Sequence, residues 1–256
     1  MTTGRLHSIE TFGAVDGPGI RTIFFLQGCP ARCLYCHNPD TWKPMGGREV
    51  TLEEILHKAQ RSVPYYGKQG GVTFSGGEPL LQGKFVLEAL RMLRKNGIGT
   101  VVDTSATHID AYTEDIVDEC DMLLLDIKHS DPEQFSKMCG CKQDKLMKII
   151  GMLNEFGTPA WVRQVIVPGI NDTEENMKAL AKFIKENIEN VYKVELLGYH
   201  TMALNKYEKL DMKYPLEGVK AMDKKALAKL NEVLQAELEE LGVDLLISLS
   251  SKDLSF

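Results

Sequence analysis

Three cysteines lie close together near the N-terminus, in the run Cys29-Pro30-Ala31-Arg32-Cys33-Leu34-Tyr35-Cys36. Their spacing is C-x3-C-x2-C, and no fourth cysteine stands nearby. Three thiolates on a tight loop can hold one face of a metal cluster. A 4Fe–4S cluster takes four ligands, so three cysteines leave one iron open. Structural zinc wants a closed tetrahedral set of four, and His37, next to Cys36, is poorly placed to complete one. A redox dithiol of Cys33 and Cys36 leaves Cys29 without a part. Further reactive side chains stand in Ser75-Gly76-Gly77-Glu78, Asp103-Thr104-Ser105, Asp126-Ile127-Lys128, at Arg163 and in Tyr199-His200.

Each of these groups follows or ends an apolar run. Strands are expected at 22–26, 71–74, 100–102, 122–125, 160–167 and 192–197. Helices are expected between them. Thr51-Leu52-Glu53-Glu54 is a capping box that opens one to about Arg61. Lys84 to Asn96 is stopped by Gly97. The others run from Tyr112 to Glu119, from the Asp131-Pro132 start, from Lys142 to Phe156, from Thr173 to Ile188, and from the Asp223 cap to Leu241. Gly198 to Val219 reads as irregular, and Val243 to Leu249 as an edge strand. This alternation implies an α/β fold with a parallel sheet covered by helices, either doubly wound or a barrel. Active groups of such folds gather at the C-terminal ends of the strands, where all of these segments fall. No Pro-, Gly- or Ser-rich linker divides the chain. One domain over 1–256 is expected, with a core of about 16–241 and extensions at 1–15 and 242–256.

The chain has 256 residues, with 30 Lys+Arg against 36 Asp+Glu, a formal net charge of −6. An acidic balance argues against nucleic acid as a partner. No run of 18 apolar residues suggests a membrane span, and the N-terminus has no signal-peptide core. A cytoplasmic protein is expected, whose six cysteines are ligands or free thiols rather than disulfides. Cys120, Cys139 and Cys141 complete no second cluster motif and read as small apolar residues.

The cysteine run resembles the signature of the radical S-adenosylmethionine (radical SAM) superfamily, with Tyr35 at the usual aromatic position. The likeness extends through Asp16-Gly17-Pro18-Gly19-Ile20-Arg21, Gln27-Gly28-Cys29, Cys36-His37-Asn38, Ser75-Gly76-Gly77-Glu78-Pro79, Leu125-Asp126-Ile127-Lys128, Val165-Ile166-Val167-Pro168-Gly169 and Leu196-Leu197-Gly198-Tyr199-His200. Together these resemble the activating enzymes of glycyl radical enzymes, over about residues 4–240. The resemblance implies a partial (β/α)6 TIM-like barrel and an oxidoreductase. A reduced 4Fe–4S cluster on Cys29, Cys33 and Cys36 would cleave S-adenosylmethionine to methionine and a 5′-deoxyadenosyl radical. That radical would take the α-hydrogen of one glycine in a partner enzyme. No cysteine lies between Asn38 and Gly76, so the ferredoxin-like insert of many such activases is missing. This favours pyruvate formate-lyase as the partner, in an anaerobic setting, with flavodoxin or ferredoxin as reductant and a monomeric chain.

The resemblance also distributes roles. Ser75, Gly76, Gly77 and Glu78 would meet the methionyl ammonium. Lys128 and Arg163 would face its carboxylate. Tyr35, His37 and His200 would lie by the adenine or ribose. Asp103, Thr104, Asp126 and Ile127 would border the same ligand, with a monovalent cation near Asp103 and Asp126. Asp16 would help position the partner's glycine loop. Each has a plainer reading: Tyr35 as packing, Glu78 as a helix-start residue, a Lys128–Asp126 pair bracing the rim, Asp16 as a turn residue. The family's Asp-Thr-Asn-Gly is Asp103-Thr104-Ser105-Ala106 here. Alternatives are the activase of another glycyl radical enzyme, a radical SAM enzyme of a small molecule, an electron carrier, or a zinc hydrolase.

Overall fold

The computed structural model describes residues 2–246. Its strands are β1 (Thr3–Gly13), β2 (Arg21–Leu26), β3 (Arg48–Thr51), β4 (Gly71–Gly76), β5 (Gly99–Thr104), β6 (Met122–Asp126), β7 (Ala160–Ile166) and β8 (Val191–Gly198). Its helices are α1 (Leu52–Tyr66), α2 (Gly83–Lys95), α3 (Thr113–Glu119), α4 (Pro132–Cys139), α5 (Asp144–Phe156), α6 (Glu174–Asn187), α7 (Leu204–Lys209) and α8 (Lys224–Glu240). All strands join one sheet in the order β3-β1-β2-β4-β5-β6-β7-β8. The run from β2 to β8 is parallel, and β1 and β3 pair antiparallel at the other edge. Six parallel strands with intervening helices make the expected partial barrel. Among the described residues its edges are β3 and β8, and the sheet does not close.

The pleat explains why the apolar strands carry polar ends. Phe74, Val102, Leu123, Leu125 and Val162 pack in the core beneath the helices. Their neighbours Ser75, Asp103, Asp126 and Arg163 line the opposite, inner face. Successive side chains alternate, so one residue step turns a core strand into a site strand. The helices are held by local signals that the sequence already contains. Thr51 accepts from the Glu54 amide at 3.2 Å, Asp131 caps α4 through the Glu133 and Gln134 amides, and Asp223 caps α8.

Several elements differ from the sequence expectation. Residues 3–13 form the longest strand of the sheet. Only Gly4, Leu6 and Gly13 are buried in it, so its pattern is that of an edge-region strand with little apolar signal. Helix α1 continues through Pro64 to Tyr66 instead of stopping near Arg61. The segment read as irregular contains α7. Val243 to Leu246 make no strand, though the Leu246 amide donates to the Val191 carbonyl at 3.0 Å. Residues 247–249 of that expected strand lie outside the described residues. Among the described residues, no helix is long and apolar enough to cross a membrane.

At the N-terminal end of the barrel, Arg21 is buried, 1% exposed. Its Nε donates to Thr73 Oγ1 at 2.7 Å. Nη1 donates to the Pro18 and Gln69 carbonyls, and Nη2 to Val72 O. Burial pulls its pKa down to about 10, still well above neutrality. Thr73 in turn donates to the Asp16 carbonyl at 2.7 Å. The Asp-Gly-Pro-Gly-Ile-Arg run is therefore a plug. Arg21 is solvated by carbonyls at the barrel floor, and this fixes Asp16 above it.

Candidate active site

The cysteine loop leaves the end of β2 and is pinned on both limbs. Gly28 and Cys29 donate their amides to Thr41 O and Trp42 O at 2.7 and 3.2 Å. Arg32 and Leu34 donate to Cys139 O and Met138 O at 2.7 and 2.9 Å, which ties the other limb to the end of α4. Cys29, Cys33 and Cys36 line a cavity of about 270 Å3 with Asp16, Tyr35, His37, Ser75, Gly76, Gly77, Asp103, Asp126, Lys128 and Arg163. Among the described residues, no three His, Cys, Asp or Glu side chains gather around a common point as a single metal ion requires. Three soft thiols opening on one cavity suit a thiolate-bound cluster. Burial pushes the Cys29 thiol up to about 12, and Cys33 and Cys36 up as well. Such thiols stay protonated at neutral pH until a metal displaces the protons, so cluster binding releases them.

Ser75, Gly76 and Gly77 pass directly beneath this loop. The Gly77 amide donates to Leu26 O at 2.9 Å and the Glu78 amide to Gly28 O at 2.8 Å. Gly76 has φ 115°, and a Cβ there would strike the Leu26 backbone. A Cβ on Gly77 would strike Gly28 O. The two glycines are thus required by the cysteine loop's own backbone as much as by any ligand. The Glu78 side chain turns away from the cavity and is fully buried. Its carboxylate accepts from Thr104 Oγ1 and Ser105 Oγ, both at 2.7 Å, from the Ser105 amide at 3.1 Å and from the Leu80 amide at 3.2 Å. Burial raises its pKa, and these donors oppose the rise. Its contribution is to lock the turn after β4 to the turn after β5.

That second turn holds the departure from the family pattern. Ala106, where the family has glycine, sits at φ 53°. A left-handed alanine costs roughly 1–2 kcal/mol. Ala106 is also fully buried, so an Ala106→Gly variant sets relief of this strain against a lost methyl worth about 0.8 kcal/mol, and urea unfolding is expected to show a net change under about 1 kcal/mol. A loss of about 2 kcal/mol or more would show that the turn is not strained.

A charged network fills the inner face below the cysteines. Arg163 Nη2 meets Asp103 Oδ1 at 2.5 Å, its Nε meets Asp126 Oδ1 at 3.1 Å, and its Nη1 stands 4.0 Å from Asp16 Oδ1. Lys128 Nζ donates to Asp126 Oδ2 at 2.9 Å and lies 5.5 Å from the centre of the Tyr35 ring. Ser75 Oγ donates to Asp103 Oδ2 at 2.6 Å. Burial opposes ionisation of Asp126, but Lys128 and Arg163 outweigh it and hold its pKa low. Asp16 has no such direct partner. Burial, then Asp103, push its pKa up to about 6. Three carboxylates face two cations, which leaves one uncompensated negative charge when all are ionised.

The remaining expected residues divide. His37 and His200 stack with ring centroids 3.8 Å apart and planes 12° apart, and His37 Nε2 donates to His200 O at 3.1 Å. Burial lowers both pKa values, so both rings are neutral at pH 7. His200 Nδ1 is buried without a partner among the described residues. The side chains of Thr104 and Ile127 are not in the cavity. Thr104 binds Glu78, and Ile127 is buried in the core, its amide donating to Arg163 O at 2.9 Å. Sequence reasoning missed Trp42, which borders the cavity under the Arg32 guanidinium at 4.7 Å. It lies on the segment that pairs with Gly28 and Cys29, a placement no spacing rule supplies.

Comparisons with known proteins place the chain by sequence and by fold. The radical SAM superfamily model matches residues 23–192. The chain is 48% identical over 240 residues to the pyruvate formate-lyase-activating enzyme of Clostridium pasteurianum, covering 93% of this chain and 100% of that one. It is 42% identical over 235 residues to the enzyme of the same name from Staphylococcus epidermidis, covering 89% and 93%. Among solved structures, a domain of pyruvate-formate lyase-activating enzyme from Bacteroides vulgatus aligns with TM-score 0.53 and 25% identity, covering 66% of this chain and 94% of that one. Streptococcus suis SuiB bound to its precursor peptide SuiA shares the fold with TM-score 0.64 at 20% identity, over 87% of this chain and 46% of that one. With the partial barrel, the three-cysteine loop and the Gly-Gly turn beneath it, these matches mean that the chain belongs to the radical SAM superfamily and, within it, to the family of the pyruvate formate-lyase-activating enzymes.

Proposed function

We propose that this chain activates pyruvate formate-lyase by placing a radical on one of its glycines. The observation that carries the reading is the single cavity shared by three thiols, a glycine backbone and a paired Lys128–Asp126–Arg163–Asp103 network. A 4Fe–4S cluster, when bound there, supplies the electron that cleaves S-adenosylmethionine to methionine and the 5′-deoxyadenosyl radical that removes the glycine α-hydrogen. The chain's own residues bind and orient. Cys29, Cys33 and Cys36 hold the cluster. Backbone groups of Ser75, Gly76 and Gly77 receive the methionyl ammonium, while Glu78 braces their turn. Lys128 uses one of its three donors on Asp126, and Arg163 Nη1 makes no bond shorter than 4.0 Å, so both retain donors for the methionyl carboxylate. Tyr35 and the His37–His200 stack offer flat neutral faces to the adenine. A monovalent cation near Asp103 and Asp126 would offset the charge that Asp16 adds to the network. Asp16, fixed over the floor plug, addresses the partner's glycine loop. Flavodoxin or ferredoxin is the expected reductant, and the chain acts as a monomer.

Glycine suits this chemistry because an amide and a carbonyl delocalise the spin and no side chain hinders planarity. The test is anaerobic incubation of the reduced protein with S-adenosylmethionine and pyruvate formate-lyase. A glycyl radical signal in electron paramagnetic resonance is expected on the partner. Cleavage of S-adenosylmethionine with no radical on that partner would overturn the choice of target and leave another glycyl radical enzyme or a small molecule.

A further inference from the structure

The three cysteines outside the cluster loop are not equivalent. Cys120 is buried at the end of α3, its sulfur directed to Val117 O. Cys139 and Cys141 flank Gly140, which ends α4 in the left-handed region with φ 71° and ψ 11°. Cys139 Sγ lies 3.2 Å from Phe135 O, one helical turn back, and the turn at Gly140 brings Cys141 O to 3.8 Å from it. Cys139 is fully buried, and Cys141 is half-buried. Burial raises both thiols, Cys139 to about 11. Lys145 and Arg32 favour the thiolate of Cys141, the more accessible sulfur.

The same turn seats the cluster loop. Cys139 O and Met138 O accept the amides of Arg32 and Leu34, and a Cβ on Gly140 would meet Arg32 Cβ at 3.6 Å. A dithiol is therefore built into the support of the three ligand cysteines.

We propose that Cys139 and Cys141 are a redox-active pair that closes to a disulfide, and that closure loosens the cysteine loop. The Cys141 thiolate attacks a low-molecular-weight disulfide and releases one small thiol. The Cys139 thiol then attacks the Cys141 sulfur of the mixed disulfide and expels the second small thiol. Two protein thiols are oxidised, one small disulfide is reduced to two thiols, and the two protons leave with them. To reach Cys141, the Cys139 sulfur must swing off Phe135 O. Closing the short ring through Gly140 then constrains the Cys139 backbone, whose carbonyl holds Arg32.

The loosening rests on the reading of this loop as a cluster seat, but the disulfide itself does not. Trypsin cleaves after Lys137 and Lys142, so Met138–Lys142 carries both cysteines and no other. The cluster-loaded protein is exposed under argon to oxidised glutathione, then alkylated and digested. This peptide is expected unalkylated and lighter by two hydrogens, with the Cys120 peptide fully alkylated. In parallel, iron release to a chelator is expected several-fold faster after oxidation, returning to the starting rate on reduction. Cys141→Ser and, independently, Cys141→Ala should show no acceleration. A doubly alkylated Met138–Lys142 peptide after prolonged exposure overturns the disulfide. Equal acceleration in the variants, or a disulfide that leaves iron release unchanged, overturns the coupling. If the chain holds no cluster, the peptide mass of the cluster-free protein still decides the first point, while the functional reading fails separately.

Discussion

A Cys33→Ser variant is expected to retain its fold and lose glycyl-radical-forming activity to background. Iron and acid-labile sulfide should fall from about four per chain each to near zero. Cys33 is the middle cysteine of the loop, packed against both the main core and the cluster of buried tyrosines. A serine hydroxyl is a hard, poorly ionised oxygen where soft iron wants thiolate, and two remaining cysteines cannot hold a cubane. The loop itself should survive, because the amides of Arg32 and Leu34 are held by α4 and not by the cysteine side chains. Cys120→Ala is the matched control. Its sulfur belongs to the core beneath the helices, so iron content should match wild type while stability drops slightly. Full iron in the Cys33 variant would remove the cluster assignment altogether.

The second large effect falls on stability. Arg163→Met should cost about 3–5 kcal/mol in urea unfolding at pH 7, the range for stripping one partner from a buried ion pair. Arg163 touches Asp103 and Asp126 directly and approaches Asp16. Methionine fills similar volume but leaves those carboxylates with Lys128 alone. The pH dependence should invert. In the wild type, Asp126 has a lowered folded pKa, so its contribution is present above the unfolded value and lost as pH falls through the folded one. In the variant, unpaired carboxylates would have raised folded pKa values. Its deficit should then be largest at neutral pH and shrink as pH falls through them. Arg163→Lys should recover part of the loss, since a point charge reaches one carboxylate but not two with fork geometry. A cost under about 1 kcal/mol for the methionine variant would mean that the network is solvated like a surface pair.

The inner parallel strands were legible because their residues are almost all buried, so they read as unbroken apolar runs such as Met122–Leu125. Strand β1 was not, because Arg5, His7 and Glu10 interrupt it and its exposure is that of a strand near the rim. The site residues were legible as types at strand ends, but their partners were not. Nothing local tells that Arg163 joins Asp103, sixty positions away, or that Glu78 is a brace among hydroxyls rather than a cavity carboxylate. Arg21 belonged to a resembling motif without a role until its carbonyl cage at the floor was visible. Long-range pairings of this kind depend on which strands become neighbours, and pattern reading stops at the strand.

The sheet ends at β3 on one side and β8 on the other without a seam between them. A closed cylinder is entered only through its mouth, and a polypeptide could reach its interior only by leading with a free end or folding into a narrow hairpin. A cylinder with a slit along its wall can be entered sideways. A stretch of chain tethered at both ends can slide in broadside and leave by the same route, with no terminus to thread. For a reaction whose target is one glycine of another protein chain, the open edge is a way in that needs no free end.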